Sequence, residues 1–201
     1  MAGRPFLEHV LAQLAHNDIR SVVISTGFHA EAVAKALGDG GRFGLDITYV
    51  PDGEVPAGTA GGIRRCLPRL GKRFLVLYGD TYLDVDFCSV FGAFEAQPLP
   101  GLMTVLQNKD SHEQSNCVVR DGRVLAYNKA SPPPDAGFVD YGLLAFDSSV
   151  FSLWPYSDLS DVQQAMAADG DMAALEVANR YFEIGTPQSL AETEAFFRSQ
   201  T

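Results

Sequence analysis

Two carboxylates stand where a sheet protein can place metal chemistry. Asp80 follows the apolar run FLVLYG, and Glu183 follows the strand-like segment ending in Tyr181-Phe182. Open parallel sheets bind ligands beyond the carboxyl ends of their strands. Acids suit that place because Mg²⁺ takes hard oxygen ligands and shares its shell between one or two carboxylates and substrate phosphates. A turn or helix N-cap is the competing reading of Asp80, and a surface glutamate that of Glu183.

A third candidate is the run Pro56-Ala57-Gly58-Thr59-Ala60-Gly61-Gly62, a glycine-rich loop opening a helix. Small residues let a planar base or a phosphate approach the backbone, and helix N-termini favour anions. It lacks the Gly-Lys-Ser/Thr ending of a Walker loop. Asp84-Val85-Asp86 has the form of the DxD of metal-dependent glycosyltransferases. Phe87-Cys88 follows it where a phosphohydrolase would carry its threonine, and no GxSxG elbow is present, so hydrolase readings fall away.

The elements that must position these residues alternate. Phe6, Val10, Leu11 and Leu14 recur at helical spacing behind Pro5, and Ser21–Ser25 is a short apolar run of the buried-strand kind. A helix over Ala30–Leu37 ends in the glycines of GDGGRFG, before a strand at Leu45–Val50. The spacing then predicts a helix from Thr59 to Leu70, a strand at Arg73–Tyr78, a helix at Val85–Ala96 and a strand at Gly101–Gln107. Asp121-Gly122 joins a hairpin of Asn116–Arg120 and Arg123–Asn128. Pro132–Pro134 marks a loop and Phe138–Phe146 a strand. Helices at Leu159–Ala168 and Gln188–Arg198 flank a strand around Glu176–Phe182. The first half reads as parallel α/β, the second as more mixed.

The chain has 201 residues, 46% hydrophobic and 10% aromatic, with 15 Lys+Arg against 25 Asp+Glu. That length holds one domain with a sizeable core. The net charge of −10 argues against a nucleic-acid partner, since phosphate backbones need a basic face. Arg64, Arg65, Arg69, Lys72 and Arg73 crowd into one stretch, read as the solvated end of a helix. The apolar runs are too short to span a membrane, and the first residues lead into an amphipathic helix rather than a leader. Cys66, Cys88 and Cys117 are scattered without a CxxC pair, which fits reduced thiols in a cytoplasmic protein. His9, His16, His29 and His112 are isolated and lack zinc spacing.

Taken in order, six segments resemble the sugar-1-phosphate nucleotidylyltransferases, especially the guanylyltransferases acting on mannose- or heptose-1-phosphate. They are AGRPFLEHVLAQL (2–14), PAGTAGG (56–62), FLVLYGDTYLDVD (74–86), YNKA (127–130), DYGLLAFD (140–147) and YFEIGTPQSL (181–190). The resemblance implies a Rossmann-like three-layer α/β fold with a mostly parallel mixed sheet. It also implies a reaction: a sugar 1-phosphate attacks the α-phosphorus of a nucleoside triphosphate, giving a nucleotide-sugar and pyrophosphate. Asp80 matches the Mg²⁺ ligand, and Glu183 a second ligand position where aspartate is common. Gly58 and Thr59, with Ala60 and Gly61 beside them, match the nucleotide-binding positions that face the base. Lys129 matches the catalytic lysine that meets the sugar phosphate, and Gly142 a glycine that leaves room for the sugar ring. Asn128 replaces a frequent glutamate. A homo-oligomer is compatible with the sequence, which does not set the number of subunits.

The family opens with a buried strand, a GGxGTRL loop and a Lys-Pro, and none of these is present here. Roughly thirty residues of the pattern are absent, the length of a strand and loop with its connection. The expectation is a single domain over 1–201, N-terminally truncated, whose first, central strand is missing. Ser21–Ser25 should then stand apart from Phe74–Tyr78, and turnover should suffer from loss of the loop that cradles the triphosphate. Two other readings stay open: a non-catalytic binder of nucleotide-sugars, and a glycosyltransferase working through Asp84 and Asp86.

Overall fold

In the computed structural model, which describes residues 1–53, 55–109 and 114–200, Pro5 leads into helix α1 (Phe6–His16). Its spacing turns Phe6, Val10 and Leu11 to one buried face. Asp18, at φ +60°, reverses the chain into strand β1 (Ser21–Thr26). Helix α2 (Ala30–Leu37) and a 3₁₀ turn at Gly41–Phe43 return it to β2 (Asp46–Pro51), which pairs parallel to β1 with Val22 opposite Ile47.

Helix α3 (Thr59–Cys66) is shorter than its pattern predicts. Pro68 has no N–H to continue the α ladder, so Leu67–Arg69 winds as a 3₁₀ turn. Then follow β3 (Arg73–Leu77), β4 (Thr81–Leu83), α4 (Phe87–Glu95), β5 (Gly101–Gln107), β6 (Cys117–Arg120), β7 (Arg123–Tyr127) and β8 (Phe138–Asp147). The chain closes with α5 (Val150–Leu153), α6 (Leu159–Asp169), β9 (Met172–Val177), β10 (Tyr181–Glu183) and α7 (Pro187–Ser199). The strand expected around Glu176–Phe182 is thus two strands. The side chain of Asn179 bonds the carbonyl and carboxylate of Asp84 at 3.3 and 3.0 Å, where the chain passes between sheets.

The main sheet has the order β3-β8-β5-β9-β7-β6. Strands β3, β5, β9 and β6 run one way and β8 and β7 the other, so only the β5–β9 pair is parallel. The period of two divides β8 between two cores. Leu144 and Phe146 meet Val162 and Met166 of α6 on one face. Leu143 and Ala145 meet Phe87, Val90 and Phe94 of α4 on the other. These are the three layers that the resemblance implies. Each such buried side chain contributes about 1.5–3 kcal/mol, so a charge at Leu144, fully buried, would break the α6 layer.

A third cluster of Leu11, Leu37, Leu45 and Ile47 ties β1 and β2 to α1 and α2. The β1–β2 pair and the main sheet are separate sheets, each ending at an unpaired edge, β1 in one and β3 in the other. The separation of these two strands is the one expected from the sequence. Among the described residues, no helix is long and apolar enough to cross a membrane, and Cys66, Cys88 and Cys117 are free thiols. His112 lies outside the described residues.

Candidate active site

Asp80 sits in the turn between β3 and β4, its side chain exposed. Its carboxylate accepts the Thr81 hydroxyl at 3.1 Å, and its carbonyl accepts the Ile184 N–H at 3.1 Å. Strands β4 and β10 pair antiparallel, with Thr81 opposite Glu183. A two-stranded ladder therefore brings together the backbones of the two acids, which are about a hundred positions apart in sequence. The Glu183 carbonyl accepts the Thr193 hydroxyl at 2.7 Å, which anchors α7 beneath it. Asp80 caps no helix. Asp86 does: its carboxylate accepts the Ser89 N–H at 3.1 Å at the start of α4, which holds its pKa below the usual carboxylate range. With Asp84 bonded to Asn179, the DVD segment is engaged in structure.

Gly142 joins this ladder to the middle of the sheet. Its φ is +92°, and a Cβ placed there would lie 3.3 Å from the Tyr78 ring and 3.7 Å from the Thr81 methyl. Glycine is required by backbone conformation and by these neighbours, before any ligand is considered. The Gly142 N–H donates to Asp140 at 3.0 Å. Asp140 also accepts the Gln163 amide at 3.1 Å and the Tyr127 hydroxyl at 3.5 Å. Gln163 in turn lies 3.5 Å from the Tyr78 hydroxyl.

Asp140 is densely surrounded by protein yet keeps some solvent contact, while its neighbours Val139 and Tyr141 are buried. Burial pushes its carboxyl above the usual range, against the Gly142 N–H, the Gln163 amide and the charge of Lys129, which favour the ionised form. Burial, and then the Asp140 charge, push the Tyr78 and Tyr127 phenols up, so both remain hydrogen-bond donors at neutral pH.

Lys129 is exposed in the turn after β7. Asn128 shapes that turn, accepting the Ser131 N–H at 2.7 Å and donating to Gln164 at 3.0 Å. Lys129 acts on Asp158 as well as on Asp140. Asp158 is held below the usual range first by the Ser160 N–H and then by the Ser160 and Thr59 hydroxyls and Lys129.

Through Asp158 the PAGTAGG loop is linked to Lys129. Thr59 donates to Asp158 at 3.3 Å and accepts the Leu159 N–H at 2.7 Å. The Ala60 and Gly61 amides donate to the Ser157 carbonyl at 2.9 and 3.2 Å. Gly58, at φ +74°, passes so close to Ser157 that no side chain fits. The first turn of α3 is thus capped by the segment before α6, and its amides already have a partner. Sequence reading passed over Ser157 and Asp158; an Asp directly before the helical run at Leu159 was the available signal.

The structure links Lys129, Gly142 and the Gly58–Gly61 loop through Asp140 and Asp158, and it joins the backbones of Asp80 and Glu183 separately through the β4–β10 ladder. It disperses the basic stretch. Arg64 is half-buried and donates to the carbonyls of Phe151 at 2.9 Å, Trp154 at 3.2 Å and Tyr156, so it clamps α5 rather than facing solvent. Arg73 lies over the Phe94 ring at 4.9 Å.

Two carboxylates, Asp140 and Asp158, share the charge of Lys129. A phosphate approaching acids is repelled unless a cation offsets the charge. Asp80, in the turn just before β4, and Glu183, the last residue of β10, carry hard oxygen donors on neighbouring stretches of backbone, the kind of donor that suits a divalent ion sharing its shell with phosphates.

The model of the nucleotidyl transferase family matches residues 1–200. The chain is 27% identical over 203 residues to the mannose-1-phosphate guanylyltransferase of Mycobacterium tuberculosis, covering 96% of this chain and 56% of that protein. It is 24% identical over 164 residues to the D-glycero-alpha-D-manno-heptose 1-phosphate guanylyltransferase of Aneurinibacillus thermoaerophilus, covering 81% of this chain and 70% of that protein. The first of these spans shows that the chain covers little more than half of that relative. The crystal structure of HddC from Yersinia pseudotuberculosis superposes with a TM-score of 0.81 at 17% identity, covering 98% of this chain and 87% of that one, a likeness of fold.

Proposed function

Since the chain belongs to the nucleotidyl transferase family, we propose that it transfers a nucleotidyl group from a nucleoside triphosphate to a sugar 1-phosphate. A phosphate oxygen of the sugar 1-phosphate attacks the α-phosphorus, the bond to the bridging oxygen of the β-phosphate breaks, and pyrophosphate leaves. The observation that supports this reading is the β4–β10 ladder, in which Thr81 pairs with Glu183 and the Ile184 N–H donates to the Asp80 carbonyl, so that the backbones of the two acids lie close together. Such transfers depend on charge neutralisation and in-line positioning more than on a covalent catalyst.

Asp80 and Glu183 would hold Mg²⁺, which when bound offsets the charge of the phosphates. Lys129, a mobile point charge, binds the sugar phosphate. Gly58 and Thr59, with Ala60 and Gly61, pack against the nucleobase, the capped first turn of α3 giving it a fixed wall. The names of the two relatives favour a guanine nucleotide and a mannose or heptose phosphate. The three free thiols support a reducing, cytoplasmic setting.

Turnover by residues 1–201 alone is proposed to be slow. The sequence holds no GGxGTRL segment, and the Ala60 and Gly61 amides at the start of α3 already donate to Ser157, so these amides are not free to take over the part of a triphosphate cradle. Titration calorimetry tests the reading. Mg²⁺-dependent binding of a triphosphate that Asp80→Asn removes is the expected result. Tight binding of a nucleotide-sugar without Mg²⁺, and none of a triphosphate with it, would instead favour the non-catalytic binder.

A further inference from the structure

Asp158 does more than begin a helix. An N-cap needs one acceptor oxygen, and Asn or Ser serves there as well as Asp. At Asp158 that oxygen is Oδ1, which accepts the Ser160 N–H and the Ser160 hydroxyl, each at 2.9 Å, and the Thr59 hydroxyl at 3.3 Å. Among the described residues these are the hydrogen bonds of the carboxylate, so Oδ2 is surplus to the cap. Thr59 closes the contact from its own side, its hydroxyl accepting the Leu159 N–H at 2.7 Å. The start of α3 and the start of α6 are thus clasped by hydrogen bonds in both directions.

Further along, α6 braces the turn that carries Lys129. Gln164 accepts the Asn128 amide at 3.0 Å, while Asn128 accepts the Ser131 N–H at 2.7 Å. Clasp and brace lie six residues apart on one helix, about 9 Å at 1.5 Å per residue. Lys129, in the braced turn, directs its charge at Asp158. One helix therefore carries both the loop that packs against the nucleobase and the cation that takes the sugar phosphate. In-line transfer needs its two substrates in register, and a misplacement of about 1 Å costs on the order of a hundredfold. A carboxylate cannot bind a phosphate, but it can direct the cation that does.

We propose that Asp158 is a positioning residue for nucleotidyl transfer, anchoring the Thr59 loop through Oδ1 and turning the Lys129 ammonium toward that loop through Oδ2. This deepens the function proposed above and rests on it. Released from Asp158, Lys129 still binds phosphate as a flexible point charge, but fewer of its placements are productive.

The test measures pyrophosphate release by the 201-residue chain with Mg²⁺, a nucleoside triphosphate and mannose 1-phosphate. Asp158→Asn and Asp158→Ser each keep a capping oxygen and remove the charge. Each should lower kcat about ten- to a hundredfold and leave the KM for mannose 1-phosphate unchanged or lower, the mark of an interaction that serves the transition state. On a Lys129→Gln background the same changes should lower kcat no further. Circular dichroism establishes that each variant is folded, and either one alone decides the question. A folded variant with unaltered kcat overturns the inference, and so does one whose loss lies wholly in KM. A loss of the same size on the Lys129→Gln background also overturns it, because Asp158 would then act as a cap alone. No pyrophosphate from the unaltered chain, with this or any other pair, overturns the function reading itself.

Discussion

Ile184 donates its backbone N–H to the carbonyl of Asp80 at 3.1 Å, extending the pairing of Glu183 with Thr81 by one more bond. The bond fixes the distance between two acidic segments through backbone rather than through side chains. The acids themselves are therefore free to be changed without loosening the frame. Asp80→Asn and Glu183→Gln should leave the melting temperature close to that of the unaltered chain. Each should weaken Mg²⁺-dependent triphosphate binding by at least about tenfold, since even outer-shell partners of metal ligands cost ten- to a hundredfold. Calorimetry with and without EDTA reads both.

Gly142 tests the packing of β8 against Tyr78 and Thr81. At φ +92° with the Tyr78 ring 3.3 Å from an added Cβ, Gly142→Ala should cost about 1–3 kcal/mol. Urea unfolding measures it. A variant as stable as the parent would show that Tyr78 moves aside freely.

Asp158 couples the α3 loop to α6. Asp158→Ala removes the α6 N-cap, made through the Ser160 N–H at 2.9 Å, and should cost about 1 kcal/mol. Its pKa is lowered in the fold, first by that N–H. A lowered carboxylate contributes stability present above its unfolded pKa and lost as pH falls through its folded one. Asp158→Asn should keep most of the cap and lose that part of the acid sensitivity, seen in unfolding midpoints from pH 7 downward.

Asp140 should behave in the opposite sense. Burial raises its pKa, so the native state holds the proton more tightly than the unfolded chain. Stability from this group is greatest at low pH and declines as pH rises from the ordinary carboxylate range through the raised value. Asp140→Asn should therefore be more stable than the parent at pH 7, by a margin that shrinks toward pH 4. Gain of stability on replacing a residue is the pattern expected where a site is kept for function.

The layers of the fold were legible because β8 alternates cleanly, FVDYGLLAF placing Tyr141, Leu143 and Ala145 on one face and Leu144 and Phe146 on the other. Asp80 was legible from its position after a strand. The break at Asn179 was not, because a short strand such as Tyr181–Glu183 is defined by its partner β4, and pairing leaves little trace in a three-residue segment. Arg64 was misread for a related reason. Charge density on a helix resembles solvation until the carbonyls of a distant loop, here Phe151, Trp154 and Tyr156, come to meet it. Asp140 had a signal, a lone acid inside an apolar strand, but its network with Tyr127 and Gln163 spans residues 127 to 163 and forms only in the fold.

Pyrophosphate release tests the central claim most directly. The folded chain is assayed with a panel of nucleoside triphosphates and hexose or heptose 1-phosphates, alone and with a strand–GGxGTRL–Lys-Pro segment fused ahead of Met1. Slow release from one pair is predicted, dependent on Mg²⁺ and abolished by Asp80→Asn, rising by orders of magnitude in the fusion. No release from any pair in either form, with both folded, would contradict the account.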